Sequence, residues 1–69
     1  MDLQKYIRED KNDKKLKIGD TVEIMYKGKK TIGIIEKFNE RTAIINREGK
    51  PALATWRYFE QVEKIAWQD

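Results

Sequence analysis

The chain of 69 residues contains no cysteine, no histidine and no serine, and only one proline. Without cysteine it can form neither a disulfide framework nor a thiolate metal site. The absence of histidine removes the commonest general base and the commonest metal ligand. With neither serine nor cysteine, the usual nucleophiles of covalent catalysis are missing as well. We therefore expect a protein that is not an enzyme and that needs no metal and no cofactor.

Long hydrophobic runs are also missing. No apolar stretch approaches the roughly 18 residues that a membrane-spanning helix needs, and the N-terminus lacks the hydrophobic region of a signal peptide. The sequence thus predicts a cytoplasmic protein without a membrane partner. Its length leaves room for one domain with a small core.

Charge is abundant instead. Charged residues make up 39% of the chain, and 15 Lys and Arg face 12 Asp and Glu, which gives a net charge of +3. A pI near 9.2 fits a surface that attracts polyanions such as nucleic acids. Because the acids are interspersed with the bases, composition fits an ordinary well-solvated domain equally well.

The N-terminal segment has the pattern of a short helix. Asp2 can cap it, and no glycine or proline interrupts the residues that follow. Leu3, Tyr6 and Ile7 recur at i, i+3 and i+4 and form one apolar stripe, which docks either on the chain's own domain or on a partner. The charged stretch after it resembles a linker. The sequence predicts a helix and charged linker over residues 1–13 and a β domain over residues 14–69.

Residues 17–38 predict a β-hairpin. Val22, Ile24 and Tyr26 alternate with more polar side chains, as in a half-buried strand. Gly28 supplies a positive φ for the turn at 27–30. Gly33, beside two isoleucines, suggests that the second strand bends and serves two sheets.

Three further strands are predicted after the hairpin. They cover residues 42–46, 51–56 and 62–67, with a single 3₁₀ turn at 57–60 before the last strand. A short helix followed by five strands joined by tight turns predicts a small closed or nearly closed barrel.

Residues 16–65 resemble SH3-like barrels of the KOW and Tudor type. The similarity lies in IGDTVEI at 18–24, GII at 33–35 and WRYFEQVEKI at 56–65. Sm-like proteins, bacterial Hfq among them, are similar too, through the spacing of Gly28, Gly33 and the pair Phe38-Asn39. Both resemblances imply a small five-stranded SH3-like barrel, and the predicted N-terminal helix before it also fits the Sm-like proteins. Both indicate a fold more than a function.

Two groups of residues are candidates for binding nucleic acid. Lysines crowd the hairpin tip, where they can neutralise phosphates or simply keep an exposed turn soluble. Arg57 and Tyr58 lie between Trp56 and Phe59, which we expect to fill the end of the barrel, and can contact backbone and base. Other basic residues extend the rim of this surface. The full predicted set is Lys27, Lys29, Lys30, Lys37, Arg41, Arg57 and Tyr58.

The expected function is therefore a small nucleic-acid-binding module for RNA or single-stranded DNA. The alternative is a protein–protein adaptor or an inhibitory regulator, acting as a small subunit of a larger complex. Either reading leaves the oligomeric state open. The contact surface of the alternative would comprise Leu3, Tyr6, Ile7, Ile65 and Trp67.

Overall fold

The computed structural model describes residues 8–65, and the architecture below is that of these residues. Five strands and two short 3₁₀ turns make up the fold. The strands are β1 (Thr21–Tyr26), β2 (Lys29–Phe38), β3 (Thr42–Arg47), β4 (Ala54–Tyr58) and β5 (Glu63–Lys64), and the turns are Pro51–Leu53 and Phe59–Gln61.

All neighbouring strands are antiparallel and form one open sheet in the order β4-β3-β2-β1-β5. The prediction of a mainly β domain is confirmed. Within residues 8–65 the sheet ladder does not join β4 to β5, so hydrogen bonding leaves the sheet unclosed. No helix in this part of the chain is long and apolar enough to cross a bilayer.

The hairpin of β1 and β2 forms as its pattern predicts. Lys27 and Gly28 both have positive φ, at 51° and 80°, and this pair of dihedrals gives the tight turn whose twist matches the flanking strands. The prediction that Gly28 supplies a left-handed residue is confirmed. Tyr26 pairs with Lys29 directly beside the turn, so the register starts at the tip.

Gly33 has a different role from the predicted bend. A Cβ at this position would overlap the Ile45 side chain and lie 2.9 Å from the carbonyl oxygen of Asn46. The glycine therefore permits close packing of β2 on β3. The irregularity of β2 comes slightly later, as a register shift between Ile35 and Lys37.

The core lies on the concave face of the sheet and is small, as the chain length requires. Alternate residues of the first three strands supply most of it, and Phe38 packs against it with its ring edge-to-face on Phe59 at 5.8 Å. The buried apolar residues are Leu16, Val22, Ile24, Ile35, Ala43, Ile45, Phe59 and Val62.

The region of β4 differs from the sequence prediction. Pro51 begins a 3₁₀ turn and not a strand, and the strand runs on to Tyr58. Alternation along β4 places half-buried Thr55 and Arg57 on the concave face and turns Trp56 to the outer face. The prediction that Trp56 fills the barrel end is therefore wrong, since the residue is 53% exposed. The burial predicted for Phe59 is confirmed.

The last strand is shorter than predicted. It comprises Glu63–Lys64, which pair with β1, and Ile65 adds one more hydrogen bond from its N–H to the Thr21 carbonyl at 3.0 Å. The remainder of the predicted strand, beyond residue 65, lies outside the described residues.

The predicted N-terminal helix lies mostly outside the described residues, because it rests on residues 1–7. Residues 8–15 are not helical: Glu9 forms an isolated antiparallel bridge with Lys15. The interpretation of this stretch as a free linker is not supported either. Asp10 is only 3% exposed, and its carboxylate oxygens accept backbone N–H groups from its own segment and from Lys64 in β5.

Candidate functional site

Positive charge is concentrated at one end of the sheet. Residues 25–34 and 46–55 carry five cations and one acid, Glu48. The guanidinium of Arg57 joins them through its contacts with Met25. We call this region the hairpin end. Its cations are Lys27, Lys29, Lys30, Arg47, Lys50 and Arg57.

Strand register brings these residues together from distant parts of the chain. Gly33 of β2 pairs with Arg47 of β3, and the turn that follows β3 returns beside the start of β2 through a hydrogen bond from Glu48 N–H to the Ile32 carbonyl. The turn that carries Lys50 thereby lies beside β2 at Ile32. The three hairpin lysines, which are neighbours in the sequence, therefore belong to a larger basic surface in the fold.

The other described residues have no such excess. Among residues 8–24, 35–45 and 58–65, eight cations are interspersed with nine acids. Positive charge is therefore segregated within the molecule, although its overall net charge is small. Opposite-sign neighbours weaken the field among these residues, which we call the far end, whereas the fields of the cations add at the hairpin end.

The predicted nucleic-acid-binding residues are split by the structure. Lys27, Lys29, Lys30 and Arg57 meet at the hairpin end. The others, Lys37, Arg41 and Tyr58, lie elsewhere.

Arg41 and Tyr58 instead border an open cleft of about 450 Å³ whose other lining residues include four carboxylates, from Glu9, Asp10, Asp13 and Glu60. That cleft repels a polyanion more than it attracts one.

Tyr26 stands at the centre of the hairpin end and is held by cations. The guanidinium carbon of Arg47 lies 3.8 Å from the Tyr26 ring centroid, and that of Arg57 lies 5.9 Å away. Arg47 is fixed in turn, since its Nε donates to the Leu53 carbonyl and to Thr55 Oγ1, both at 3.1 Å. The ring is half-buried, so Tyr26 orders the two arginines and is not a free stacking surface.

Arg57 is occupied by backbone carbonyls. Its Nε and Nη2 donate to the Met25 carbonyl at 3.2 and 2.8 Å, and its Nη1 donates to the Trp56 carbonyl at 2.7 Å. The residue contributes charge to the hairpin end from a fixed position. The lysines at 27, 29, 30 and 50 are the exposed cations there.

The outer face of β4 carries an exposed aromatic pair. Trp56 and Tyr58 are 53% and 46% exposed, and their rings meet edge-to-face with centroids 5.4 Å apart. Tyr58 was a predicted site residue, but its aromatic neighbour is Trp56 and not a basic cluster. Arg57, between them in sequence, points to the opposite face.

Sequence reasoning missed Arg47, Lys50 and Trp56. Lys50 follows a turn and carries no signal that would associate it with residues 27–30. Arg47 and Trp56 occupy alternate positions of their strands, and which face is buried depends on how the sheet curls. Only Trp56 gave a usable hint, because it shares the alternation of Ala54 and Tyr58.

At the far end, Asp10 joins the N-terminal segment to β5. Its Oδ1 accepts the N–H groups of Asn12 and Lys14 at 2.8 Å, and its Oδ2 accepts that of Lys64 at 2.6 Å. Burial by itself raises the pKa of Asp10, but these backbone N–H groups and the nearby Lys14 charge outweigh it and lower the pKa below the ordinary value of 3.8. The Asp10 carboxylate therefore has a structural role: it joins the N-terminal segment to β5 by hydrogen bonds, and we call this contact the Asp10 clasp.

The residues of the alternative partner surface are only partly visible. Leu3, Tyr6, Ile7 and Trp67 lie outside the described residues. Ile65 is half-buried beside β1. Within the part of the chain that the structure describes, no group of three carboxylates is arranged to hold a metal ion.

Comparison with known proteins identifies a family whose function is unknown. A family described as a domain of unknown function, DUF7205, matches residues 8–65, and the chain belongs to it. No curated protein and no solved structure matches the chain.

Proposed function

We propose that this DUF7205 domain is a small, non-enzymatic nucleic-acid-binding module for RNA or single-stranded DNA, which captures the phosphate backbone with its hairpin end. The observation that carries the proposal is the concentration of six cations at that end, where Glu48 is the one acid of residues 25–34 and 46–55. Glu23 and Glu63 share a small pocket with Lys30 and border this surface on one side. A phosphate backbone presents regularly spaced negative charges, and lysine and arginine bind them with release of counterions.

The exposed lysines are suited to this role. Lys27, Lys29 and Lys30 extend from the hairpin, and their flexible side chains can follow an irregular backbone. Lys50 is paired with Glu48 at 3.6 Å, but both side chains are well exposed, and such a surface pair is weak enough to exchange for a phosphate. Arg47 and Arg57 add fixed positive charge behind them.

The architecture favours single strands over base-specific reading of a duplex. Residues 8–65 offer no α-helix that could enter a major groove with base-reading side chains. A lysine-rich hairpin beside a sheet surface instead fits backbone capture, and single-stranded nucleic acid leaves its bases free for the sheet.

Fluorescence anisotropy with labelled 15-nucleotide RNA and DNA strands, measured across a salt series, tests the proposal. We expect the logarithm of the association constant to fall linearly with log[salt], with a slope of about −0.7 per phosphate contacted on single strands. The triple variant Lys27→Gln, Lys29→Gln, Lys30→Gln should bind more weakly and with a shallower slope.

A matched control separates the hairpin end from net charge. Lys14→Gln, Lys15→Gln and Lys17→Gln remove the same charge from exposed residues at the far end. Equal losses in the two triple variants would contradict a localised site. Absence of binding at low salt would overturn the proposed function altogether.

We also propose that the domain is an SH3-like small barrel. The strand order β4-β3-β2-β1-β5 and the 3₁₀ turn immediately before β5 support this assignment. The contact between Arg57 of β4 and the Met25 carbonyl of β1 supports it further, because it draws the sheet into a curled shape.

A protein–protein adaptor or inhibitory regulator is the second candidate function. The observation that favours it is the group of exposed apolar residues on the outer face, Ile32, Ile34, Trp56 and Tyr58. A partner that stays bound to the immobilised domain after nuclease treatment, and that is lost with Trp56→Ala, would support the adaptor. A partner released by nuclease would support nucleic-acid binding.

A further inference from the structure

The outer face of β2, β3 and β4 combines aromatic, aliphatic and basic side chains. Alternation from the buried residues Gly33, Ile35, Ala43 and Ile45 assigns the opposite positions to this face. The side chains it presents include Lys30, Ile32, Ile34, Lys37, Ile44, Trp56 and Tyr58.

Register places a lysine in line with the aromatic pair. Lys37 pairs with Ile44, and Ile44 pairs with Trp56, so the three residues form one row across three strands. Adjacent strands are about 4.8 Å apart, which puts the Lys37 backbone about 10 Å from that of Trp56. A lysine side chain spans much of that distance, so one ligand can contact both.

The aromatic pair is rigid and accessible. The edge-to-face contact of Trp56 and Tyr58, at an interplanar angle of 89°, fixes the two rings relative to each other. Residues two apart on a strand are about 6.7 Å apart, and successive bases of an extended single strand can be accommodated at such a spacing. The exposed aromatic rings, with Lys37 two strands away in the same row, provide both elements of single-strand recognition.

The edge of β4 is not open to an added strand at this point. The Trp56 carbonyl accepts a hydrogen bond from Arg57, and the Tyr58 N–H donates to Gln61 Oε1 at 3.1 Å. An incoming strand would have to displace both side chains. The aromatic surface therefore calls for a ligand that contacts side chains and does not extend the sheet.

We propose that Trp56 and Tyr58 form a base-stacking platform for single-stranded nucleic acid, with Lys37 contacting a phosphate on the β2 side and Lys30 another phosphate farther along that strand. This inference rests on the proposed function and adds a second, non-electrostatic contact to it. Lys37, in the same row as Trp56, supplies the charge that favours this occupant. The bound strand runs from the aromatic pair toward β2, away from the carboxylates that border Tyr58. A second copy of the domain on the same face would bring Lys30 and Lys37 of both copies onto one interface, where they repel.

Tryptophan fluorescence provides the direct test. In a Trp67→Phe background Trp56 is the only tryptophan. Titration with a 15-nucleotide oligothymidine should quench its emission, whereas a duplex of the same length should not. The substitution Trp56→Ala should weaken single-strand binding about tenfold at fixed salt, leave duplex binding unchanged and leave the salt slope unchanged.

Two variants on the same face complete the design. Trp56→Phe should restore most of the affinity, because a smaller aromatic ring still stacks. Ile34→Ala, which removes an exposed apolar side chain without an aromatic face, should have little effect. Circular dichroism of each variant verifies the fold.

Each contrary outcome has a distinct meaning. Salt-dependent binding that Trp56→Ala does not weaken would overturn the platform and leave the hairpin-end proposal intact. Loss of a dimer with Trp56→Ala, seen by light scattering, would assign the face to a second copy. No binding of single strands by the unsubstituted domain at low salt would overturn both proposals.

Discussion

Arg57 in β4 donates two hydrogen bonds to the carbonyl oxygen of Met25 in β1, although β3 and β2 separate these strands in the sheet. The same guanidinium binds the carbonyl of Trp56 and lies near the ring of Tyr26. This one side chain thus connects the edge strand β4 to β1, the fourth strand of the sheet, and curls the sheet. This contact shapes the hairpin end, because it brings β4 against the residues that carry the lysines.

Arg57→Lys tests the structural role of that side chain. Lysine keeps the charge but cannot donate to the Met25 and Trp56 carbonyls in the same geometry. We expect the free energy of unfolding to fall by about 1 kcal/mol, measured by urea denaturation. The salt slope of binding should be unchanged. Arg41→Lys, at an exposed arginine of the far end, is the control. Unchanged stability with weakened binding would show that Arg57 contacts phosphate directly.

Gly33→Ala should be strongly destabilising. The added methyl group would overlap the Ile45 side chain and approach the Asn46 carbonyl, so β2 and β3 would have to separate. We expect a loss of about 2 kcal/mol or more in thermal or urea unfolding. Gly19→Ala is the comparison, because Gly19 has open space around it but a φ of 95°. Strain alone should cost it about 1 kcal/mol. A smaller loss at Gly33 than at Gly19 would refute the packing argument.

Asp10→Asn should destabilise the fold by about 2 kcal/mol at neutral pH. An amide cannot accept hydrogen bonds on both sides, so the Lys64 N–H or the N–H groups of Asn12 and Lys14 lose their partner. Asp13→Asn, at an exposed residue, is the control and should be nearly neutral. Similar losses in both variants would argue against a clasp at Asp10.

The same clasp predicts a pH dependence. The pKa of Asp10 is lower in the folded than in the unfolded chain, so its contribution to stability is present above the ordinary value of 3.8. That contribution is lost as the pH falls through the folded pKa. Unfolding free energies measured between about pH 5 and pH 2 should therefore decrease more steeply for the natural chain than for Asp10→Asn. Parallel curves would contradict this.

Lys50→Gln tests a residue that only the tertiary structure adds to the site. If Lys50 contacts a phosphate, its loss should weaken single-strand binding and make the salt slope shallower by about 0.7. Lys15→Gln, which removes the same charge at the far end, should change the slope little. Anisotropy titrations of both variants measure the difference in slope. A larger effect of Lys15→Gln would show that the phosphates bind at the far end and not at the hairpin end.

The local parts of the fold follow from the sequence. The alternation of Val22, Ile24 and Tyr26 determines β1, and Lys27-Gly28 determines the tight turn, because both depend on neighbouring residues and backbone dihedrals alone. The mainly β class follows from the same signals. The sequence does not determine the boundaries around Pro51, since proline fits the start of a 3₁₀ turn as well as the start of a strand.

The candidate site could be predicted only in part. Lys27, Lys29 and Lys30 are neighbours in sequence and so remain neighbours in space. The separation of Arg57 from Tyr58, and the burial of Asp10 in a stretch of charges, depend on which side of each strand meets the core. Sequence alternation shows that two faces exist without showing which one is buried when both carry apolar residues.

What the sequence by itself determined is therefore local: a basic hairpin, short strands and an inventory of side chains without the usual catalytic groups. What only the tertiary structure decided is which of these side chains lie together at the hairpin end and which lie on the outer face. The curl of the sheet joins Arg47, Lys50 and Arg57 to the hairpin lysines, and it leaves Trp56 and Tyr58 on the outer face. The reason is physical, because electrostatic fields and stacking surfaces depend on distances in space, and pairing between strands sets those distances.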